Sequence, residues 1–266
     1  MSRVSVGLGR PSRLVEPVLL GPVGGSVWLR VSRPTFPWKR QREEIPDDDR
    51  PTVPPPTGAR AGDSDVVVVI DVSGSTGSTD PGGHRFTAAR RIVNLLAEGG
   101  AGGRFGDRVG VVLFADSPVP WLPLTPLGNR EQRRRVRSCL RPINGGGTSI
   151  VPAIERAAGI LGRGSADHSA VLLFTDGESN ESSSALTTAV RRVPTGSVHV
   201  VVLGQDLPAQ WDSVPVGSVT ALPSLDGRAD ALEWLLARAL YRSLGLGWAG
   251  PATPPTAAPP GAGVRP

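Results

Sequence analysis

Cysteine, lysine and long apolar runs are scarce in this chain, and each scarcity removes a class of protein. Cys139 is the only cysteine, so no disulfide can close within the chain, and a reducing compartment suits it. Lys39 is the only lysine, so the net charge of +5 rests on arginine. That bias, with abundant Ala, Gly, Val and Pro, reads as GC-rich coding and suggests a bacterial source. Near the beginning no basic start leads into a continuous apolar stretch, because Glu16, Pro17 and Pro22 interrupt it. Neither a signal peptide nor a membrane span is expected, and the expected location is cytoplasmic.

Several catalytic motifs are missing as well. Neither Ser73 nor Ser75 sits in a Gly-x-Ser-x-Gly elbow, and no Gly-x-x-x-x-Gly-Lys phosphate loop is present. After the first apolar strand the loop reads Gly74-Ser75-Thr76-Gly77, not the Gly-x-Gly-x-x-Gly of dinucleotide binding. An aspartyl-phosphate enzyme of the haloacid dehalogenase type would need a second Asp two residues after Asp71, where Ser73 stands. It would also need a lysine, and Lys39 lies in the N-terminal arm. His84, His168 and His199 are scattered without ligand spacing. Nothing here makes a nucleophile, and a binding module is expected rather than an enzyme.

The flanks differ from the middle. Residues 40–62 mix charge with Pro51, Pro54, Pro55 and Pro56, and residues 245–266 are mostly Gly, Ala and Pro. Both offer little apolar surface to offset ordering entropy and read as linker or disorder. The expected organisation is an N-terminal arm and Pro-rich linker over 1–62, one domain over 63–244, and a tail over 245–266. Within the arm, Ser26 to Val31 alternates like a strand, and Phe36 and Trp38 follow among prolines. The densest basic run, Arg130 to Arg141, falls on a predicted helix and reads as a solvated face. No aromatic residues interleave with it, so no nucleic acid is expected as a partner.

Between the flanks, strands and helices alternate. Helices are expected over 84–98, 131–140, 149–161, 182–192 and 227–244, the last capped by Asp226. Their predicted inward stripes include Phe86, Ala89, Val93 and Leu96 in the first. They include Val151, Ile154, Ala158 and Leu161 in the third, and Leu232, Leu235, Leu236, Ala239 and Leu240 in the last. Strands are expected over 65–70, 109–114, 169–175, 197–203 and 219–222. A proline-rich segment, 119–124, fits only a short edge strand. Such alternation implies an α/β fold: a Rossmann-like, doubly wound, mostly parallel central sheet with helices on both faces.

What is present is concentrated at strand ends. Val66 to Ile70 reads as a strand buried on both faces, and it runs into Asp71-Val72-Ser73-Gly74-Ser75. A carboxylate and two hydroxyls at alternate positions are oxygen donors, which suit Mg²⁺, Ca²⁺ or Mn²⁺ rather than zinc or copper. Gly145-Gly146-Gly147-Thr148-Ser149 precedes a helical pattern, and Val171 to Phe174 is another buried strand ending in Thr175-Asp176-Gly177. Asp71, Ser73, Ser75, Thr148 and Asp176 would meet at one sheet edge if their strands are neighbours. Asp80, Asp116 and Glu178 nearby read as solvated loop charges.

These residues resemble the metal-ion-dependent adhesion site of von Willebrand factor A domains, written Asp-x-Ser-x-Ser, then Thr, then Asp. Gly106-Asp107-Arg108-Val109-Gly110-Val111-Val112-Leu113-Phe114 is similar to that family's second strand. The resemblance covers roughly residues 63 to 243. It implies a Mg²⁺ site, with Mn²⁺ or Ca²⁺ as alternatives, whose ligands are Asp71, Ser73, Ser75, Thr148 and Asp176. It further implies a protein partner that completes the metal shell with a Glu or Asp carboxylate. In bacteria such domains also serve as accessory subunits of AAA+ ATPase or chelatase-like assemblies, which is the alternative expectation. A metal-assisted phosphatase is the least expected.

Overall fold

Eight consecutive buried residues, Ser64–Asp71, form the central strand β1, and their alternation assigns the two faces of the molecule. Val66, Val68 and Ile70 point into one apolar core and Val67 and Val69 into the other. A strand apolar on both sides has no face to offer water, so it must lie between two helical layers. In this computed structural model the described residues are 51–54, 56–57, 62–98, 106–143, 145–177, 179–223, 229–251 and 253. The arm with its strand-like segment, Asp226 and Glu178 lie outside them.

The sheet has six strands in the order β3-β2-β1-β4-β5-β6. The others are β2 (Arg108–Phe114), β3 (Pro118–Pro126), β4 (His168–Thr175), β5 (Val198–Leu203) and β6 (Ser218–Leu222). All neighbours pair in parallel except β3, which runs antiparallel along β2 with register shifts around Val111. The edge position explains how Pro118, Pro123 and Pro126 fit, since a proline cannot donate to a ladder. At nine residues β3 is longer than the short edge strand expected.

Among the described residues the helices are α1 (Thr76–Thr79), in the loop after β1, and α2 (His84–Glu98), α3 (Arg130–Cys139), α4 (Ile150–Leu161), α5 (Ser183–Val190) and α6 (Ala229–Ser243). The first core packs Phe86 and Ile92 of α2, Val136 of α3, and Leu232, Leu236 and Leu240 of α6 against β1, β2 and β4. The second packs Ile150, Ile154 and Ala157 of α4 and Leu186 of α5, with Trp211 from a 3₁₀ turn. Each fully buried aliphatic or Phe side chain of this kind contributes about 1.5–3 kcal/mol. The expected α/β, doubly wound fold is therefore the one formed. The predicted stripe of α4 is rotated, however: Ile150, Ala153, Ile154 and Ala157 are buried, while Val151 and Ala158 lie half-buried on its flank. In α6, Leu235 is likewise at the margin, and Glu233, Trp234 and Ala237 face inward.

Residues of both flanks are built into the domain. Val53 joins the first core, and Thr57 and Gly247 form an isolated antiparallel bridge. Trp248 packs edge-on against Trp234 of α6, with ring centroids 5.4 Å apart. Glu233, fully buried, receives the Thr52 N–H at 2.8 Å and the Thr52 hydroxyl at 2.7 Å. Arg91 of α2 donates to the same carboxylate at 3.1 Å and also pairs with Asp230.

Candidate metal centre

The strand order places the site. β1 and β4 are neighbours at the centre of the sheet, and the chain leaves them toward opposite edges, so a crevice opens beyond their carboxyl ends. Asp71 ends β1 and Asp176 follows β4; both are fully buried. One Asp71 oxygen accepts the Ser73 N–H at 2.8 Å, which folds the loop back on its own strand. The other accepts the Thr175 hydroxyl at 2.8 Å. Thr175 in turn accepts the Gly177 N–H at 3.0 Å, so a single hydroxyl ties the two strand ends together. The Ser73 and Ser75 hydroxyl oxygens lie 3.1 Å apart.

A third segment is zipped onto the first. The Gly145 N–H donates to the Val72 carbonyl at 2.8 Å, and the Gly74 N–H donates to the Gly146 carbonyl at 2.9 Å. Gly145 has no alternative here, because a Cβ would stand 2.4 Å from Ala115 Cβ and 2.7 Å from the Val72 carbonyl oxygen. The pairing brings Thr148 round to the crevice, where it and Ser75 line a cavity of about 600 Å³. The remaining wall includes Gly177, Ser179, Asn180, Gln205 and Gln210, all uncharged. Of the residues expected in the site, Asp71, Ser73 and Ser75 are linked directly. Thr148 shares the cavity wall with Ser75, and Asp176 stands close enough for its charge to act on Asp71.

Electrostatically the centre holds more negative charge than it can comfortably bury. Burial pushes the Asp71 carboxyl above the usual carboxylate range; hydrogen bonds from Ser73 and Thr175 oppose that shift, and the Asp176 charge adds to it. Among the described residues no three His, Cys, Asp or Glu side chains cluster as metal ligands. The donor set is instead two carboxylates and three hydroxyls, all hard oxygen, which fits Mg²⁺ or Mn²⁺ better than a soft cation.

Arg85, Asp80, Asp116 and Glu181 support the site in ways not foreseen from the sequence. Arg85, almost fully buried, donates through Nε to the Asp71 carbonyl at 3.0 Å, to Asp80 at 2.7 Å and to Thr76 Oγ1 at 3.0 Å. It thereby fixes the loop from Asp71 through α1. Asp80 corrects the expectation of a solvated charge: it is buried, paired with Arg85, and accepts the N–H groups of His84 and Arg85 at the start of α2. Asp116 is exposed as expected, yet it accepts the Gly147 N–H at 2.7 Å and so steadies the glycine loop. Glu181 accepts from Ile150 N and Val151 N at 2.9 Å, capping α4 directly behind Thr148, where Ser149 makes no side-chain cap. The one sign in the sequence was an acid placed shortly after the Asp176-Gly177 turn. His199 is no ligand: it lies between the hydroxyls of Ser218 and Ser243, and burial, with Arg242 nearby, pushes its pKa down to about 4.

Comparison with known proteins agrees with this architecture. Residues 66–178 match the family model of the von Willebrand factor type A domain, and the fold is the α/β fold of such domains. The human calcium-activated chloride channel regulator 4 is 30% identical over 142 residues, which is 53% of this chain and 15% of that protein. A von Willebrand factor type A structure from Catenulispora acidiphila superposes with a TM-score of 0.54 at 17% identity, covering 70% of this chain and 47% of that one. The open conformation of the pilus adhesin SpaC from Lactobacillus rhamnosus GG gives 0.53 at 17% identity, covering 69% and 31%. At those identities the two structures are alike in fold. This chain spans less than half the length of each of these three proteins.

Proposed function

We propose that this domain is a non-enzymatic, metal-dependent protein-binding module. Its divalent cation, Mg²⁺ by preference, would be held by Asp71, Ser73, Ser75, Thr148 and Asp176. The observation that carries the reading is the buried Asp71 carboxylate, gripped on both oxygens, beside the paired Ser73 and Ser75 hydroxyls at the wall of an open cavity. A cation there would offset the charge of Asp71 and Asp176 and present a position to solvent that a partner's Glu or Asp carboxylate can fill. Asp71 holds the loop through Ser73 N–H, and Thr175 aligns the two strand ends. That one protein of this fold is a pilus adhesin accords with a binding role.

Calorimetric titration of Mg²⁺ and Mn²⁺ into EDTA-stripped protein tests the site. One saturable site is expected in the wild type and none in Asp71→Ala, with Mn²⁺ paramagnetic resonance as the check where heats are small. Saturable binding that survives in Asp71→Ala would place the metal elsewhere. The supporting shell makes a second, graded prediction. Glu181→Ala uncaps α4 and frees the segment carrying Thr148, so metal affinity should fall by about tenfold, with about 1 kcal/mol of stability lost from the cap. An unchanged dissociation constant would show that Thr148 needs no such support.

A further inference from the structure

We infer that the outward face of α3 is a docking surface for an acidic protein segment, independent of the metal centre. Residues 130–141 hold six arginines and a single acid, Glu131. The inner side of this helix is satisfied by Val136 and Leu140, both fully buried, and by Arg133, which donates to the Leu127 carbonyl at 3.2 Å. Asn129 caps the start by accepting the Gln132 N–H at 2.9 Å. Arg130, Arg134, Arg135 and Arg141 are exposed.

Holding those cations together has a cost. Arg130 and Arg134 stand one turn apart, and like charges at that spacing destabilise a helix. Arg130 and Arg134 also lie toward its N-terminal half, where the helix dipole disfavours positive charge. Glu131, three and four residues before Arg134 and Arg135, offsets part of that cost and leaves the outward face net positive. Several ion pairs among the described residues take their carboxylates elsewhere: Asp80 with Arg85, Asp230 and Glu233 with Arg91, Asp65 with Arg108, and Glu155 with Arg192. A basic face of this length, about 14 Å from residue 130 to 139 at helical rise, complements an extended run of carboxylates, which guanidinium groups bind in bidentate fashion.

The same face is a poor match to other polyanions. It carries no aromatic side chain on which single-stranded bases could stack. It has no exposed apolar residue to anchor in a bilayer; Trp121 and Ile143 beside it are half-buried against the core. Because α3 packs against β3 and α2, it presents one side and cannot enter a DNA groove as a free helix.

The test uses the full chain and a fluorescein-labelled decapeptide of alternating Glu and Gly, read by anisotropy at 50 and 200 mM salt, with EDTA throughout. Saturable binding at 50 mM, weakened at 200 mM, is expected, with the affinity at least about tenfold lower in Arg130→Ser/Arg134→Ser/Arg135→Ser. A control with the same charge loss, Arg156→Ser/Arg163→Ser/Arg191→Ser, removes exposed arginines from other surfaces and should leave binding unchanged. Thermal melts should show both variants folded, with neither melting well below the wild type. No binding at 50 mM would overturn the inference, as would equal loss in the two variants. Tighter binding to a double-stranded DNA 20-mer, or to vesicles with one-third anionic lipid, would overturn it too. EDTA separates this surface from the metal site, so the two readings fail independently.

Discussion

Replacing Asp71 by asparagine should raise the melting temperature of the metal-stripped domain while removing the stabilisation that Mg²⁺ gives the wild type. Burial raises the Asp71 pKa in the folded state above its ordinary value, and the Asp176 charge reinforces the shift. A group whose pKa rises on folding binds its proton more tightly when folded. The resulting stabilisation is complete below the unfolded pKa of 3.8 and is lost as pH rises through the folded value. At neutral pH the ionised carboxylate is thus a net cost to the metal-free fold. Asparagine keeps an acceptor for the Ser73 N–H and a polar group beside Thr175 without the charge. Each 1 kcal/mol recovered corresponds to a rise of roughly 2–4 °C for a domain of this size.

Metal reverses the sign. A cation present at a hundred times its dissociation constant stabilises the folded state by about 2.7 kcal/mol. The wild type should therefore melt higher in Mg²⁺ than in EDTA, with the difference shrinking as pH falls and protons compete for the ligands. The asparagine variant should melt at one temperature in both. Scanning calorimetry at pH 7.5 and pH 4.5, with EDTA or Mg²⁺, reads all of this. A metal-free variant less stable than the wild type would mean that the hydrogen bonds to Asp71 outweigh its burial.

The distribution of what the sequence could and could not disclose follows from range. β1 was legible because its partners on both sides are apolar, so its own composition reports its burial. The residues proposed as ligands could be singled out because each sits within a few residues of a strand end or a glycine loop. The ends of α2 were legible because Pro81, Gly82 and Gly83 precede it. Thr175 was passed over as the last residue of a strand, although its hydroxyl joins Asp71 to Gly177. Asp80 was read as a solvated charge, and its partner Arg85 was passed over, because hydropathy alone cannot distinguish a solvated ion from a buried pair. The stripe of α4 was misplaced since four apolar residues in a helix rich in alanine fix its rotation only loosely. The packing of 51–57 and 245–251 could not be foreseen from composition: their prolines and glycines are low in apolar area, but Val53 and Trp248 find a groove that only the fold creates.

Glu233→Ala should cause the largest loss of stability of any change outside the apolar cores, about 3–5 kcal/mol. The side chain is fully buried in α6, where a charged residue read from sequence alone belongs to the solvent face. Its oxygens accept from Thr52 N, Thr52 Oγ1 and Val53 N, at 2.8, 2.7 and 3.4 Å, and from Arg91 at 3.1 Å. Removing the carboxylate leaves the Thr52 donors without their acceptor and takes from Arg91 its buried carboxylate partner, the exposed Asp230 remaining. The segment from Thr52 to Thr57, held further on by the Tyr241 hydroxyl at the Pro54 carbonyl and by the Gly247 bridge, loses its upper fastening. Thr52→Ala removes one of these bonds and should cost only about 1 kcal/mol. If the effect lies in the stranded guanidinium, Arg91→Met/Glu233→Leu should recover most of the loss, because an apolar pair can replace a buried ion pair at little cost. Urea denaturation of the wild type, Arg91→Met, Glu233→Leu and the double variant closes the double-mutant cycle. Limited proteolysis should cut within 51–57 faster in Glu233→Ala than in the wild type. Equal cutting rates would show that the Thr57 bridge and Tyr241 hold the segment without the carboxylate.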